Sequence, residues 1–332
     1  MSPAGQVGPD LAAPIDPTNR FDLGPTWFWP DMQPELDRLV SELGLERFAQ
    51  FDTGNMMVER SATEGPLRAR GYVNAPASMR LIGGMGALID RLRQRLDPAR
   101  VVAGQAVRRL SCADPGVVIE SEDATGRETR FRADHVLLAL PPRLAEASIA
   151  FSPPLPPDVV RQWRMTPTWM ASHAKYVAVY ETPFWREEGL SGEARSALGP
   201  LAEIHDASMP GGDAALFGFL GIPAQVRQRG SEELLRTHCR AQLVRLFGVK
   251  ARAIRADFLK DWAREPYLAT SSDLAATAHE AHAPTPTAAS GPWHGCLTGI
   301  ASEWSPQFPG YLAGAIEAAR LGVEALPESA AG

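Results

Sequence analysis

Residues 302–319 read SEWSPQFPGYLAGAIEAA, and this run limits the folds open to the chain more than any other. Pro306, Pro309 and Gly310 enforce a turn, and an Ala-rich helix follows. Such a turn delivers a helix N-terminus to a fixed point. That end carries free N–H groups and the positive pole of the helix dipole, so it suits an anion or an electron-rich ring. A short strand expected over 296–300 feeds the turn, and the helix is expected over 310–325.

Upstream, helical and strand patterns alternate. Leu36, Leu39, Val40, Leu43 and Phe48 recur at near-helical spacing, which predicts a helix over 33–49. Gly83-Gly84-Met85-Gly86 opens a second helix, 86–96, with Leu88, Leu92 and Leu96 on one stripe. Between them, 51–79 reads as a short connection with weak signals. Strands are expected at 100–103, 106–111 and 116–121, with Gly116 and the DATG of 123–126 marking turns. FRADHVLLAL at 131–140 ends in a near-continuous apolar run, as a strand buried on both faces would, and Pro141-Pro142 stops it. SPPLPP at 152–157 is a rigid connector. Further strands are expected at 172–180, 201–206, 214–221 and 253–261. Ser231 is placed to cap a helix over 231–247. Residues 283–295 read as a loop. This order favours an α/β plus α+β architecture of two domains over a simple doubly wound sheet.

Composition narrows the function. With 45% apolar residues, the 332-residue chain has enough to bury a sizeable core. A net charge of −6 argues against nucleic acid or an anionic membrane as the main partner. The basic run Arg91-Leu92-Arg93-Gln94-Arg95 reads as a solvated helix face. Cys112, Cys239 and Cys296 are far apart in sequence, so neither a disulfide framework nor a metal site is expected. His279-Glu280-Ala281-His282 departs from H-E-x-x-H and reads as a solvated loop, while His173 and His205 are pocket-lining candidates. No stretch reaches the roughly 20 apolar residues that span a bilayer. A cytoplasmic protein is the expectation.

Several segments, taken in order, resemble the flavin-containing amine oxidase family. FDLGPTWFWP with ELGLERF, RLIGGMGALIDRL, RVVAGQAVRRL, HVLLALPPRL with SPPLPP, AKYVAVYETPFWRE, DWAREPY and finally SEWSPQFPGYLAGAIEAA match its blocks across residues 20–325. The resemblance implies a two-domain, FAD-linked amine oxidase-like fold. Residues 1–55 with 80–164 and 266–330 would form the FAD-binding domain, and 56–79 with 165–265 the substrate domain. It also implies non-covalent FAD and two-electron oxidation of a C–N or C–H bond of a small molecule, by hydride transfer to flavin N5.

The resemblance assigns roles to particular residues. Lys175, one of three lysines with Lys250 and Lys260, would hold a water against flavin N5. From the pattern alone, Lys175 shares a strand face with Val177 and Val179. It is then either an edge lysine snorkelling to water or a group held for a purpose. Tyr311 would form one wall of a substrate cage, and Trp262 would pack near the ring edge. The second wall falls near Ser272, which is not aromatic. Ser271 stands where some relatives carry a flavin-bound cysteine. Gly83, Gly84, Val107, Glu303 and Gly310 would contact FAD, with Ala301 replacing a glycine of the family's turn before Glu303.

The family's N-terminal G-x-G-x-x-G is absent from the first 60 residues. The FAD-binding domain is therefore expected to be incomplete. FAD is expected to bind poorly to this chain alone, and the nucleotide-binding motif is expected either on a separate chain or upstream in a longer protein of which this chain is a fragment. Strand 136–140 is expected to present an open apolar edge. The alternative reading is a non-catalytic remnant that serves as a binding or scaffold protein.

Overall fold

The computed structural model describes residues 20–72, 74–275 and 282–326. Helix α1 (Pro34–Glu42) begins on a proline and turns Leu36 and Val40 inward. It ends well before the expected 49, at Leu43 and Gly44, because Gly44 takes a left-handed φ of 63°. The chain then forms β1 (Arg47–Ala49), β2 (Asn55–Glu59), β3 (Leu67–Arg70) and β4 (Met79–Leu81). Strands β2 and β3 lie in the span read as a weak connection. β3 is an edge strand that buries almost nothing, so its sequence carries no alternation.

Helix α2 (Gly84–Gln94) follows, and its basic face is solvent-exposed as read. Next come β5 (Ala106–Cys112), β6 (Val117–Glu122), β7 (Glu128–Ala133) and β8 (Val136–Leu138). The strand expected at 100–103 is absent. Val101 and Val102 instead follow a single helical turn and are exposed. The expected strand 131–140 is split between β7 and β8. Helix α3 (Pro142–Ser148), β9 (Ala150–Ser152) and α4 (Pro157–Met165) complete this half.

The second half contains β10 (Ala174–Tyr180), α5 (Phe184–Glu187), β11 (Leu190–Ser196), β12 (Leu201–Asp206) and β13 (Ala214–Leu220). It continues through α6 (Ala224–Arg227), α7 (Glu232–Phe247), β14 (Ala256–Asp261), β15 (Leu297–Gly299) and α8 (Leu312–Glu324). The Ser231 side chain caps α7 as the sequence predicts.

A seven-stranded sheet runs β14-β10-β13-β12-β11-β2-β3. It is antiparallel except where β11 meets β2. One face packs on α7 through Tyr176, Tyr180, Leu216, Cys239 and Leu243. The other carries Val177, Val179 and Phe217 toward Phe21, Leu23 and Trp27. A four-stranded sheet, β7-β6-β5-β9, shares a core with Trp163, Trp293 and Trp304. The parallel pair β8 and β15 lies in that same core, with Leu138 and Leu297 buried. Among the described residues, β8 pairs only with β15. Helices α1, α2 and α8 meet over Phe28, Leu81, Met85 and Ala313. No helix among the described residues is long and apolar enough to cross a membrane.

Candidate functional site

The segment 21–30, FDLGPTWFWP, is a strap that touches most elements the site requires. It has almost no regular structure; a lone bridge from Phe28 to Met79 fixes it. Its side chains and carbonyls therefore face several elements at once.

Asp22 reaches the start of α2, where its Oδ1 accepts from the Met85 N–H at 2.7 Å. It acts as an N-cap supplied from outside the helix. Gly83 and Gly84 both take left-handed φ, 82° and 67°. A Cβ on Gly84 would meet Asp22 Oδ1 at 2.5 Å, so the paired glycines admit this carboxylate. Asp22 Oδ2 is buried with no partner among the described residues, and burial pushes its pKa up.

Lys175 lies on β10 between β13 and β14, and all seven residues of that strand are buried. The snorkelling alternative is thereby excluded. Its Nζ donates to Gly24 O at 3.0 Å, bonds Thr26 Oγ1, and sits 4.2 Å from the centre of the Phe217 ring. Burial lowers its pKa to about 7, against the pull of Asp22. Trp262 donates its indole N–H to Leu23 O at 2.9 Å, and its ring lies 3.2 Å from where a Gly24 Cβ would stand. Lys260 covers the Trp262 ring at 4.6 Å.

At the far end of the strap, Trp29 meets Tyr311 edge-on at 6.5 Å between ring centres. Tyr311 also packs on Trp169 at 4.7 Å. Trp169 precedes Met170, a non-glycine residue with a φ of 65°. Tyr311 is the N-cap residue of α8, which receives no side-chain cap. Gly310, with a φ of 80°, closes the preceding turn by donating to Ser302 O at 3.2 Å. Glu303 in that turn is buried. Burial, with Asp273 nearby, raises its carboxyl.

The strap thus gathers Lys175, Trp262, Gly84 and Tyr311. Val107 is elsewhere: it lies on β5 against the core of the four-stranded sheet. Ser271 and Ser272 form a single helical turn beside Arg143, whose Nη1 donates to Asp273 at 2.7 Å. His205 stacks edge-on against Trp27 at 4.8 Å and bonds Glu203 at 2.6 Å. His279, Glu280 and Ala281 lie outside the described residues. No group of three or more metal-type ligands occurs among the described residues.

Sequence reasoning did not single out Asp22, Thr26, Trp29, Trp169 or Arg80. Arg80 is buried and donates to Ser208 O at 3.0 Å and Ala207 O at 2.9 Å, pinning β4 to the loop after β12. The aromatic density of 21–30 was the available signal for Trp29. A groove lined by Arg240, Val244, Ile254 and Asp257 lies against the opposite sheet face. Its Arg240 and Asp257 are already ion-paired.

Residues 59–326 match the family model of flavin-containing amine oxidoreductases. The chain belongs to that family. It is 30% identical over 192 residues to a probable flavin-containing monoamine oxidase A of Dictyostelium discoideum, covering 57% of this chain. It is 32% identical over 166 residues to a putrescine oxidase of Kocuria rosea, covering 45% of this chain. The aligned stretches span 40% and 34% of those relatives' own lengths. A putrescine oxidase variant of known structure superposes with a TM-score of 0.73 at 20% identity, covering 91% of this chain and 87% of that one. Cyclohexylamine oxidase from Brevibacterium oxydans gives 0.71 at 17%, covering 91% and 88%. The fold is that of an FAD-linked amine oxidase.

FAD is the cofactor this family implies. The ring end of FAD fits the residues present. The start of α8 takes no side-chain cap, and Trp29, Trp169 and Tyr311 supply apolar surface beside it. The phosphate end finds no match. Among the described residues, only α2 starts on paired glycines, and Asp22 already fills that start with a carboxylate.

Proposed function

We propose that this chain forms the ring-facing and substrate-facing part of an FAD-dependent oxidase acting on a small amine. The carrying observation is Lys175, fully buried and bonded to the same strap that contacts Trp262, Gly84 and Tyr311. Residues 56–79 and 165–265 make the substrate side; the pairing of β2 and β3 with the later strands supports this division. Glu303 and Gly310 hold the cofactor. A partner outside the described residues supplies the phosphate cradle, because β8 pairs only with β15 among the described residues and no described helix start suits a pyrophosphate.

Bound flavin supplies the two-electron acceptor. This chain's residues prepare the exchange. Tyr311 and Trp169 form an apolar wall that excludes water and orients an amine's carbon skeleton. With a pKa near 7, Lys175 gains or loses a proton at Nζ without large cost, so it can serve a water held beside it. The start of α8 favours negative charge that develops at its N–H groups.

The test is a visible absorption spectrum after incubation with FAD, followed through gel filtration. Retained flavin bands, bleached by an added diamine or monoamine without oxygen, are the expected result once the phosphate-binding partner is present. Under those conditions Lys175→Met slows flavin reoxidation by roughly 100-fold. A protein that stays colourless with every candidate partner would overturn the oxidase reading in favour of a scaffold.

A further inference from the structure

We propose that Cys112 and Cys296 are a paired oxidation site that closes to an intramolecular disulfide. The fold brings together two thiols that the sequence separates. Cys112 ends β5, and Cys296 immediately precedes β15. Each Sγ donates to the same carbonyl, Pro292 O, at 3.4 Å and 3.3 Å, which makes the two thiols neighbours. Both are half-buried, so a small oxidant reaches them, whereas Cys239 is sealed on the core-facing side of α7.

Hydrogen peroxide is the oxidant. The Cys296 thiolate attacks one peroxide oxygen and the O–O bond breaks. A sulfenic acid forms, and the departing hydroxide leaves as water with the thiol proton. Cys112 sulfur then attacks the sulfenic sulfur. The S–S bond forms, the S–O bond breaks, and a second water leaves with the Cys112 proton. Two thiols are oxidised and one peroxide is reduced. The order follows from the local environment: burial raises both thiols, Cys112 to about 11 with Cys296 adding to the rise, while the contact with Cys112 partly offsets the rise at Cys296, so Cys296 ionises first.

The bond would staple the four-stranded sheet to the entry of β15, which leads into the Ser302–Gly310 turn and α8. Its loop encloses much of the chain, so the constraint falls mainly on the unfolded state.

The experiment treats the folded protein with hydrogen peroxide, blocks remaining thiols with a maleimide and maps peptides without reduction. The expected result is one linked peptide joining Cys112 to Cys296, with Cys239 still a thiol. The unfolding midpoint should rise by several degrees and return on reduction. In Cys112→Ser the link is absent, and dimedone traps a sulfenic acid at Cys296. Both thiols remaining alkylatable after peroxide would overturn the proposal, as would links only between separate molecules. A linked peptide without a rise in midpoint would overturn the staple.

Discussion

Lys175 concentrates the physics of the site in one side chain. Burial lowers its pKa from the ordinary 10.5 to about 7. Above that value the folded protein has released the proton, while the unfolded chain holds it until about 10.5. Stability therefore rises with pH across this window, and the cost of a buried ammonium is fully present below it. Lys175→Met removes that cost. The variant should unfold at a higher temperature than the parent at about pH 6, and its advantage should shrink toward about pH 10. A difference independent of pH would contradict the assignment. Asp22 offers a second test, because it caps α2 from the strap. Asp22→Ala should cost about 1 kcal/mol in denaturant unfolding, and Asp22→Asn, which keeps the acceptor, should recover most of it. Of these two residues, only Lys175 was legible in the sequence, as a rare lysine in an apolar strand. Nothing local to Asp22 announces a partner 63 positions away.

Among the elements, the turn from β15 to α8 is the most tightly specified. A Cβ on Gly299 would stand 2.1 Å from the Trp304 ring, and one on Gly314 would stand 2.0 Å from Phe308 O. Gly299→Ala should therefore destabilise the protein by about 1–3 kcal/mol, since Trp304 is held in the core and cannot swing away. Thermal unfolding of the variant checks it; an unchanged midpoint would mean that the turn has slack. Proline, glycine and an alanine-rich helix made this turn readable in advance. The helix α7 was readable for the same reason, through its Ser231 cap. Strands β2 and β3 were not. The edge position of β3 leaves Leu67 and both of its arginines without a buried face to impose alternation. The missing strand at 100–103 is the converse case: Val101 and Val102 have strand-forming side chains but no partner strand among the described residues.

Across the whole molecule, the strap and Arg80 hold the separate cores together. The Arg80 guanidinium is buried and satisfies the carbonyls of Ala207 and Ser208, beside the Asp206 that binds Trp185 and Arg186. Arg80→Met leaves those carbonyls unpaired and should cost about 2–5 kcal/mol in urea unfolding. A loss below about 1 kcal/mol would show that water replaces the guanidinium. The sequence by itself determined the α8 turn, most strands and helices, and the family resemblance. These depend on side-chain period, caps and turn residues within a few positions of each other. Only the tertiary structure decided that Lys175 is sealed beneath the strap and that Trp169, not Ser272, stands against Tyr311. The meeting of Cys112 with Cys296 was settled there too. Each of these depends on which distant surfaces pack together, and burial and proximity are properties of that packing rather than of any local run of residues.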